Sequence, residues 1–240
     1  MGSARLPRFW VIIPAAGSSQ RMAGTIPKQY LPLAGRTVLE WSLAPFLARS
    51  EFHAIVVALA AGDERWATLP ESRDPRIVTV TGGVQRADSV RAGLAVIAEH
   101  AQAQDWILVH DAARPCLDPA DLARLLDALA DDPVGGLLAS PVADTLKRAG
   151  LDQRVETTVT REQLWRAMTP QMFRYGLLWQ ALEQGVAEGA RLTDEAAAVE
   201  ELGLKPLLVP GRTDNLKITV PEDLALAERV LADLSLRNCA

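Results

Sequence analysis

Cysteine and histidine are scarce in this chain, with two cysteines and three histidines among 240 residues. Two cysteines make no disulfide framework, so the sequence predicts a reduced, cytoplasmic setting. So few histidines argue against a zinc site and against a Ser-His-Asp hydrolase, and no metal site built from side chains is expected. Cys116 is interpreted as a small buried side chain.

Strong basic charge and long apolar runs are also lacking. The net charge is -5 and the basic residues are scattered, whereas binding to a phosphate backbone needs a basic face, so no nucleic-acid partner is expected. No apolar run approaches the ~20 residues that span a bilayer and no signal peptide is visible, so no membrane association is expected. Hydrophobic residues make up 49% and charged residues 23% of the chain, which predicts one globular domain over residues 1–240.

Strand and helix patterns alternate along the first half of the chain. Apolar β-branched runs predict strands, and amphipathic stretches behind capping residues predict helices. The predicted strands are Phe9–Pro14, 54–59, 76–80 and Trp106–Val109, and the predicted helices are Val38–Leu47, 89–98 and one that opens at Asp118-Pro119. This order predicts an α/β fold of Rossmann-like type, a mostly parallel sheet with helices on both faces. Ligands of such sheets lie at the carboxyl ends of the strands.

The alternation breaks between residues 141 and 160. Two polar, β-prone runs, 145–148 and Val155–Val159, flank Ala149-Gly150 and predict a β-hairpin. An isolated hairpin is marginally stable, so this arm is expected to pack on a second subunit and make a homodimer. Further helices are predicted at 175–186, at 195–202 and after Pro221, and further strands at 206–209 and 216–220.

The loop after the first strand is the strongest candidate for ligand binding. Its small residues are Pro14, Ala15, Ala16, Gly17 and Ser18, and two cations, Arg21 and Lys28, follow within a dozen positions. Backbone N–H groups in such a loop can face phosphate oxygens, and the cations can offset their charge. The pattern is neither a Walker A loop nor the three-glycine dinucleotide fingerprint. An ordinary strand-to-helix turn remains the alternative.

Two more strand ends carry polar or flexible residues. Gly82-Gly83 precedes Ser89, which suits either a base and ribose pocket or a tight turn before a capped helix. Asp111 and Arg114 follow Trp106–Val109, where they could contact a sugar or a metal–phosphate complex, or only each other.

The second half supplies scattered cations and hydroxyls that suit a phosphorylated polyol. The candidates are Arg161 after the arm, Thr169 before Pro170, Thr193 at a helix start, and Lys217 in the last predicted strand. Their spacing does not prove that they converge, and Thr193 and Thr169 also suit a helix cap and a turn.

Taken in order, several segments resemble the 2-C-methyl-D-erythritol 4-phosphate cytidylyltransferase family of the non-mevalonate isoprenoid pathway. The resemblance covers nearly the whole chain. It rests on Pro14-Ala15-Ala16-Gly17 with Arg21-Met22 and Pro27-Lys28-Gln29-Tyr30, Gly82-Gly83 with Arg86-Ala87-Asp88-Ser89-Val90, His110-Asp111-Ala112-Ala113-Arg114-Pro115, Leu164-Trp165-Arg166-Ala167-Met168-Thr169-Pro170-Gln171, Thr193-Asp194-Glu195-Ala196, and Asp214-Asn215-Leu216-Lys217-Ile218-Thr219 with Pro221-Glu222-Asp223-Leu224. Ser19 and Val84 depart from the family pattern, in which a second glycine is common at the first position and an acidic residue often stands at the second.

The resemblance implies a nucleotide-diphospho-sugar transferase fold and transfer of CMP from CTP to 2-C-methyl-D-erythritol 4-phosphate, with Mg²⁺ held mainly by the CTP phosphates. It implies that Arg21 and Lys28 stabilise the transition state and that Arg161 and Lys217 position the acceptor. The other residues it implies form two groups: Asp111, Thr145, Thr169 and Thr193 around the acceptor, and Pro14, Ala15, Ala16, Gly17, Ser18, Gly83, Ser89 and Arg114 around CTP.

Two alternatives stay open at this stage. A ribitol 5-phosphate cytidylyltransferase, or another sugar-phosphate nucleotidyltransferase, would share the early loop and differ in the acceptor. A non-catalytic nucleotide sensor would keep the fold without turnover.

Overall fold

The computed structural model describes residues 5–17, 26–190 and 192–238 of the chain. The strands are β1 Phe9–Pro14, β2 Pro32–Leu33, β3 Arg36–Thr37, β4 Phe52–Leu59, β5 Ile77–Thr81, β6 Trp106–Val109, β7 Gly135–Pro141, β8 Leu146–Ala149, β9 Val155–Val159, β10 Trp165–Arg174 and β11 Leu207–Pro210. The helices are α1 Val38–Leu47, α2 Arg86–Val96, α3 Pro119–Leu129, α4 Tyr175–Ala187, α5 Glu195–Glu201 and α6 Glu222–Asn238, with short 3₁₀ turns at Lys28–Tyr30, Trp66–Thr68 and Pro70–Arg73.

Seven of these strands form one mixed sheet in the order β11-β7-β10-β6-β1-β4-β5. Strand β1 pairs in parallel with β4 and β6, and β4 pairs in parallel with β5. Among the described strands of this sheet, only β10 is antiparallel to its neighbours, which are β6 and β7. The prediction of a mostly parallel sheet is confirmed, and the carboxyl ends of β1, β5 and β6 lie at one edge.

Strand β1 is buried on both sides because helices cover both faces of the sheet. Val11 and Ile13 pack into the core beneath α1 and α3, whereas Trp10 and Ile12 pack against α2 and α4 on the opposite face. This alternation follows from the two-residue period of a strand. Helix α6 lies over the start of α1, where Ile218 joins a third buried cluster.

Local sequence signals account for most helix starts. Thr37 and Glu40 form a capping box at the first residue of α1, and Asp118 caps α3, as predicted. Helix α2 begins at Arg86, three residues before the predicted start, because Gln85 and Asp88 form its capping box.

The strand predicted at 216–220 is wrong, and Lys217 lies in a loop instead. Residues 211–220 belong to no strand in the structure. The N–H of Ile218 donates to the carbonyl of Ala113 at 2.8 Å, and the N–H groups of Thr219 and Val220 donate to the Asp223 carboxylate. These groups are therefore satisfied by a neighbouring loop and by the start of α6 rather than by a strand partner.

Strands β7 and β10 have no counterpart among the predicted elements. Strand β7 opens with Gly135-Gly136, and a Cβ at Gly136 would lie 2.1 Å from the Leu207 carbonyl oxygen, so close strand pairing requires glycine. Strand β10 contains Pro170, beside a register shift in its pairing with β7. Glycine and proline both weaken a strand signal in the sequence, although tertiary pairing tolerates them here.

The predicted hairpin is present as a separate antiparallel pair, β8 with β9. We call residues 141–160 the arm. Leu151 and Val155 of the arm are exposed apolar side chains.

Cys116 is buried, as predicted, and burial raises the pKa of its thiol to about 12. Within the described ranges, the helices are too short or too polar to cross a membrane.

Candidate active site

The loop after β1 forms one wall of a cleft at the carboxyl edge of the sheet. We call this the main cleft; its lining is Pro14, Ala15, Ala16, Gly17, Lys28, Gln29, Gly83, Val84, Gln85, Arg86, Ser89, Asp111, Ala112, Ala113 and Lys217. Buried Gln29 donates from Nε2 to the Ala15 carbonyl at 2.7 Å and fixes the loop. Ser18, Ser19 and Arg21 lie outside the described residues.

Close backbone approach shapes the opposite wall of the main cleft. A Cβ at Gly82 would lie 2.7 Å from both the Ala16 Cβ and the Ser89 Oγ, and a Cβ at Gly83 would lie 2.2 Å from the Asp88 Cβ. The Gly83 N–H donates to Ser89 Oγ at 3.2 Å. The two glycines therefore let the β1 loop and the start of α2 meet, which brings Gly83 and Ser89 beside the β1 loop.

Asp111 is the centre of the charged part of the cleft. Its Oδ1 lies 2.9 Å from Arg86 Nε, and its Oδ2 lies 2.8 Å from Lys217 Nζ and 3.4 Å from Arg114 Nε. Burial would raise the pKa of Asp111, but the three cations outweigh it and hold that pKa well below its usual range. The carboxylate is therefore ionised and gathers the cations into one cluster.

A second buried carboxylate, Glu195, holds Arg86 from the other side. The Arg86 guanidinium contacts the two Glu195 oxygens at 2.5 and 3.0 Å, a bidentate pair. Burial alone would lower the pKa of Arg86, but Glu195 and Asp111 raise it. Three cations face two carboxylates in these ion pairs, and Asp194, next to Glu195 in the sequence, is a third carboxylate beside them. Burial and the neighbouring carboxylates Asp111 and Asp194 raise the pKa of Glu195.

Thr169 and His110 connect the antiparallel strand to this cluster. Thr169 Oγ1 accepts the Asp111 N–H at 3.0 Å and lies 2.9 Å from His110 Nδ1, while His110 Nε2 lies 3.0 Å from the Arg114 carbonyl. Because a carbonyl only accepts, Nε2 carries the proton and Thr169 donates to Nδ1. Burial lowers the pKa of His110 to about 4, so the ring is neutral and both of its nitrogens are engaged.

Two further pockets adjoin the main cleft through shared residues. The side pocket is lined by Arg86, Asp111, Arg114, Ala167, Met168, Thr169, Gln171, Thr193, Asp194 and Lys217. The arginine pocket is lined by Arg114, Arg166, Ala167, Met168, Thr213, Asn215, Leu216 and Lys217. Arg86, Asp111 and Lys217 form the wall between the main cleft and the side pocket. A molecule in one pocket would therefore lie next to a molecule in the other.

The structure brings most of the predicted residues together and separates two of them. The residues expected around CTP line the main cleft where they are described, except Arg114, which lines the side and arginine pockets. Asp111, Thr169, Thr193 and Lys217 line the side pocket. Thr145 lies on the exposed arm and Arg161 directly follows it, and neither lines any of the three pockets. The Arg161 guanidinium instead contacts the Ala143 carbonyl.

Sequence reasoning did not select Arg86 or Glu195 as site residues. Arg86 stands in a recognised segment, but a lone arginine at a helix start is usually solvated, and its partner Glu195 lies 109 residues away in the sequence. A pairing of that range leaves no local pattern. The signal that could have drawn attention to Glu195 is its place directly after Asp194, the residue that caps α5.

The described side chains of the site do not suit a protein-held metal ion. Both oxygens of Asp111 contact cations, and residues 5–17, 26–190 and 192–238 contain no group of three or more histidine, cysteine or acidic side chains that could hold one. Mg²⁺ prefers several oxygen ligands and often takes them from substrate phosphates and water.

Comparisons with known proteins are consistent with one another. A model of the 2-C-methyl-D-erythritol 4-phosphate cytidylyltransferase family matches residues 9–233. A protein of that name from Ectopseudomonas mendocina is 56% identical over 219 residues, covering 91% of this chain and 93% of its own. One from Pseudomonas aeruginosa is 53% identical over 230 residues, covering 95% and 98%.

Solved structures resemble the fold over nearly the same length. A crystal structure of a 4-diphosphocytidyl-2C-methyl-D-erythritol synthase has a TM-score of 0.82 and 40% identity, covering 95% of this chain and 100% of that chain. The 2-C-methyl-D-erythritol 4-phosphate cytidylyltransferase of Thermus thermophilus has a TM-score of 0.76 and 34% identity, covering 94% and 99%.

Proposed function

The chain belongs to the 2-C-methyl-D-erythritol 4-phosphate cytidylyltransferase family, and we propose that it binds CTP in the main cleft and the acceptor in the side pocket. Its activity is CTP-dependent cytidylyl transfer in isoprenoid biosynthesis. The observation that carries the assignment of the two pockets is their shared wall of Arg86, Asp111 and Lys217. Two phosphorylated substrates on either side of this wall would meet beside the cations Arg86, Arg114 and Lys217.

The reaction is a direct in-line displacement. An acceptor phosphate oxygen attacks the α-phosphorus of CTP, a new phosphoanhydride bond forms, and the bond to the bridging oxygen of the β-phosphate breaks to release pyrophosphate. No general base is needed, because a phosphate monoester has a second pKa of about 6 and is largely ionised near neutrality. The neutral, fully hydrogen-bonded His110 accordingly has no proton-transfer role.

Charge stabilisation supplies the catalysis in this scheme. Lys28 Nζ lies 2.8 Å from the Ile218 carbonyl at the edge of the main cleft, and Arg21 follows the β1 loop in the sequence. We assign both to the transition state. Lys217 positions the acceptor phosphate, and Thr169 and Thr193 line the space for the polyol. Mg²⁺ enters with CTP and is held mainly by phosphate oxygens.

Pyrophosphate release with CTP and Mg²⁺ tests the function and the acceptor together. We expect release with 2-C-methyl-D-erythritol 4-phosphate and none with ribitol 5-phosphate. Release with ribitol 5-phosphate alone would keep the fold and the main cleft but contradict the acceptor assignment. Binding of CTP without release from either acceptor would favour a nucleotide sensor.

The arm completes a homodimer in this proposal, in which residues 1–240 form one cytoplasmic nucleotidyltransferase domain. Support comes from the exposed apolar side chains Leu151 and Val155 and from the marginal stability of an isolated two-stranded hairpin. Arg161, and Thr145 at the start of the hairpin, would then reach the acceptor pocket of the other subunit. Arg161 would help to position the acceptor there.

Mixed dimers test whether Arg161 acts across the subunit boundary. Arg161→Ala and Lys28→Ala are each expected to be nearly inactive. Mixed in equal amounts and allowed to exchange subunits, they should regain about a quarter of wild-type activity, because half of the dimers then contain one intact site. The measurement is pyrophosphate release before and after exchange. No recovery, with exchange demonstrated by differently tagged subunits, would place Arg161 in its own subunit's site or outside the reaction.

A further inference from the structure

The arginine pocket carries more positive charge than its own residues neutralise. It has a volume of about 240 Å³, and the cations among its lining residues are Arg114, Arg166 and Lys217. No aspartate or glutamate belongs to that lining in the described part of the chain. Lys217 and Arg114 share one carboxylate oxygen, that of Asp111, at the edge of the pocket.

Arg166 is held in place by neutral groups alone. Its Nε and Nη2 donate to Ser140 Oγ at 3.2 and 3.1 Å, and Nη2 lies 3.4 Å from the Thr213 carbonyl. Ser140 is fully buried, so it provides a rigid anchor. Arg166 forms no ion pair within residues 5–17, 26–190 and 192–238, and its Nη1 makes no hydrogen bond to them. An arginine has five N–H donors, and one edge of this guanidinium is therefore available.

Arg114 presents an available edge to the same pocket. Its Nη1 donates to the Asn215 carbonyl at 2.7 Å and its Nε faces Asp111, which leaves Nη2 without a hydrogen bond to the described residues. Burial lowers the pKa of Arg114, and the charge of Arg166 adds to that effect. The largely buried Arg114 guanidinium and the exposed Arg166 guanidinium therefore repel each other across a space that an anion can enter.

The charged side chains of the arginine pocket and of the adjoining side pocket, counted together, have an excess of positive charge. Arg86, Arg114, Arg166 and Lys217 are four cations, whereas Asp111, Asp194 and Glu195 are three carboxylates, an excess of one positive charge. We propose that Arg166 and Arg114 form a phosphate-binding site in the arginine pocket. This deepens the proposed function, on which it rests, by adding Arg166 to the residues that recognise a phosphate group.

A phosphate dianion matches the pocket in charge and in geometry. Guanidinium groups bind phosphate through paired N–H donors, and two arginines offer such donors from different directions. The dianion can come from two sources, the phosphate group of the acceptor or free inorganic phosphate. Both use the same contacts, so the experiment has to distinguish them.

The first part of the test is titration of the wild-type protein with inorganic phosphate by calorimetry. Saturating CTP is present so that the main cleft is filled. Arg166→Gln should weaken phosphate binding by about tenfold or more, since a charge-assisted hydrogen bond is lost. The control is Arg49→Gln, which removes the same charge from a surface pair with Glu51. Thermal midpoints of both variants show whether folding is affected.

The second part of the test is measurement of the KM for the acceptor in the same variants. If the acceptor phosphate occupies the site, Arg166→Gln raises that KM by a similar factor and leaves kcat nearly unchanged. If free phosphate occupies the site, Arg166→Gln leaves the KM for the acceptor unchanged and abolishes inhibition by inorganic phosphate. Phosphate binding and KM equal to those of Arg49→Gln would overturn the proposal. The titration needs no turnover, so an inactive wild-type protein would contradict the proposed function without deciding this site.

Discussion

Lys28→Ala is expected to lower kcat by about 10²–10³-fold, the range for loss of one donor that stabilises transition-state charge. The reason is the position of the Lys28 ammonium group, which lines the main cleft and lies 2.8 Å from the Ile218 carbonyl. That contact places the charge beside the loop after β1, where the phosphates of CTP are proposed to lie. The measurement is steady-state pyrophosphate release with both substrates varied.

The ratio of kinetic constants distinguishes this role from simple substrate binding. If Lys28 acts mainly in the transition state, kcat and kcat/KM fall by similar factors. A rise in KM with unchanged kcat would contradict the assignment and indicate equal binding of substrate and transition state. Lys205→Ala, in the exposed stretch before β11, is the control and should behave like the wild type. Arg21→Ala is expected to lower kcat by about 10²–10³-fold, as Lys28→Ala does, because both cations are assigned to the transition state.

Asp111→Asn is expected to lower the free energy of unfolding by about 3–5 kcal/mol, because it removes a buried carboxylate that three partly buried cations share. Asp111 is 7% exposed and contacts Arg86, Arg114 and Lys217. Asparagine keeps the shape but leaves the cations facing one another. The kcat/KM for both substrates should also fall, since the wall between the two pockets loses its centre.

Urea unfolding measures the stability part of this prediction. The control is Asp233→Asn, which removes a carboxylate from an exposed pair with Arg237 on α6 and should change the midpoint little. Equal midpoints for the two variants would show that the cluster around Asp111 adds nothing to stability. A variant with wild-type kcat/KM but a lower midpoint would restrict Asp111 to a structural role.

The pH dependence of stability gives an independent check on Asp111. Its folded-state pKa lies below the ordinary value of about 3.9, so its stabilising contribution is complete above that value and is lost as the pH falls below it. As the pH falls below about 4, the free energy of unfolding of the wild-type protein should therefore decrease more steeply than that of Asp111→Asn. The reason is that unfolding of the wild-type protein takes up about one additional proton, on the Asp111 carboxylate. Parallel curves would mean that Asp111 is not held ionised by its neighbours.

Short-range patterns in the sequence were sufficient for the parallel half of the fold. Strands β1 and β6 were predicted with the bounds that the structure shows, because apolar β-branched runs are distinctive. The carboxyl ends of parallel strands share one edge, so the sequence also placed the β1 loop, Gly83 and Asp111 near one another. The resemblance to a family then named the chemistry, which spacing alone had left open.

Long-range pairing decided what the sequence left open. Strands β7 and β10 contain glycine and proline, and Lys217 lies in a loop rather than a strand, so neither the antiparallel insertion nor the approach of Lys217 to Asp111 has a local signal. Glu195 reaches Arg86 only because α5 packs near the start of α2. Ion pairs between distant segments depend on how the layers stack, and burial then shifts their charges in ways that a sequence pattern does not contain.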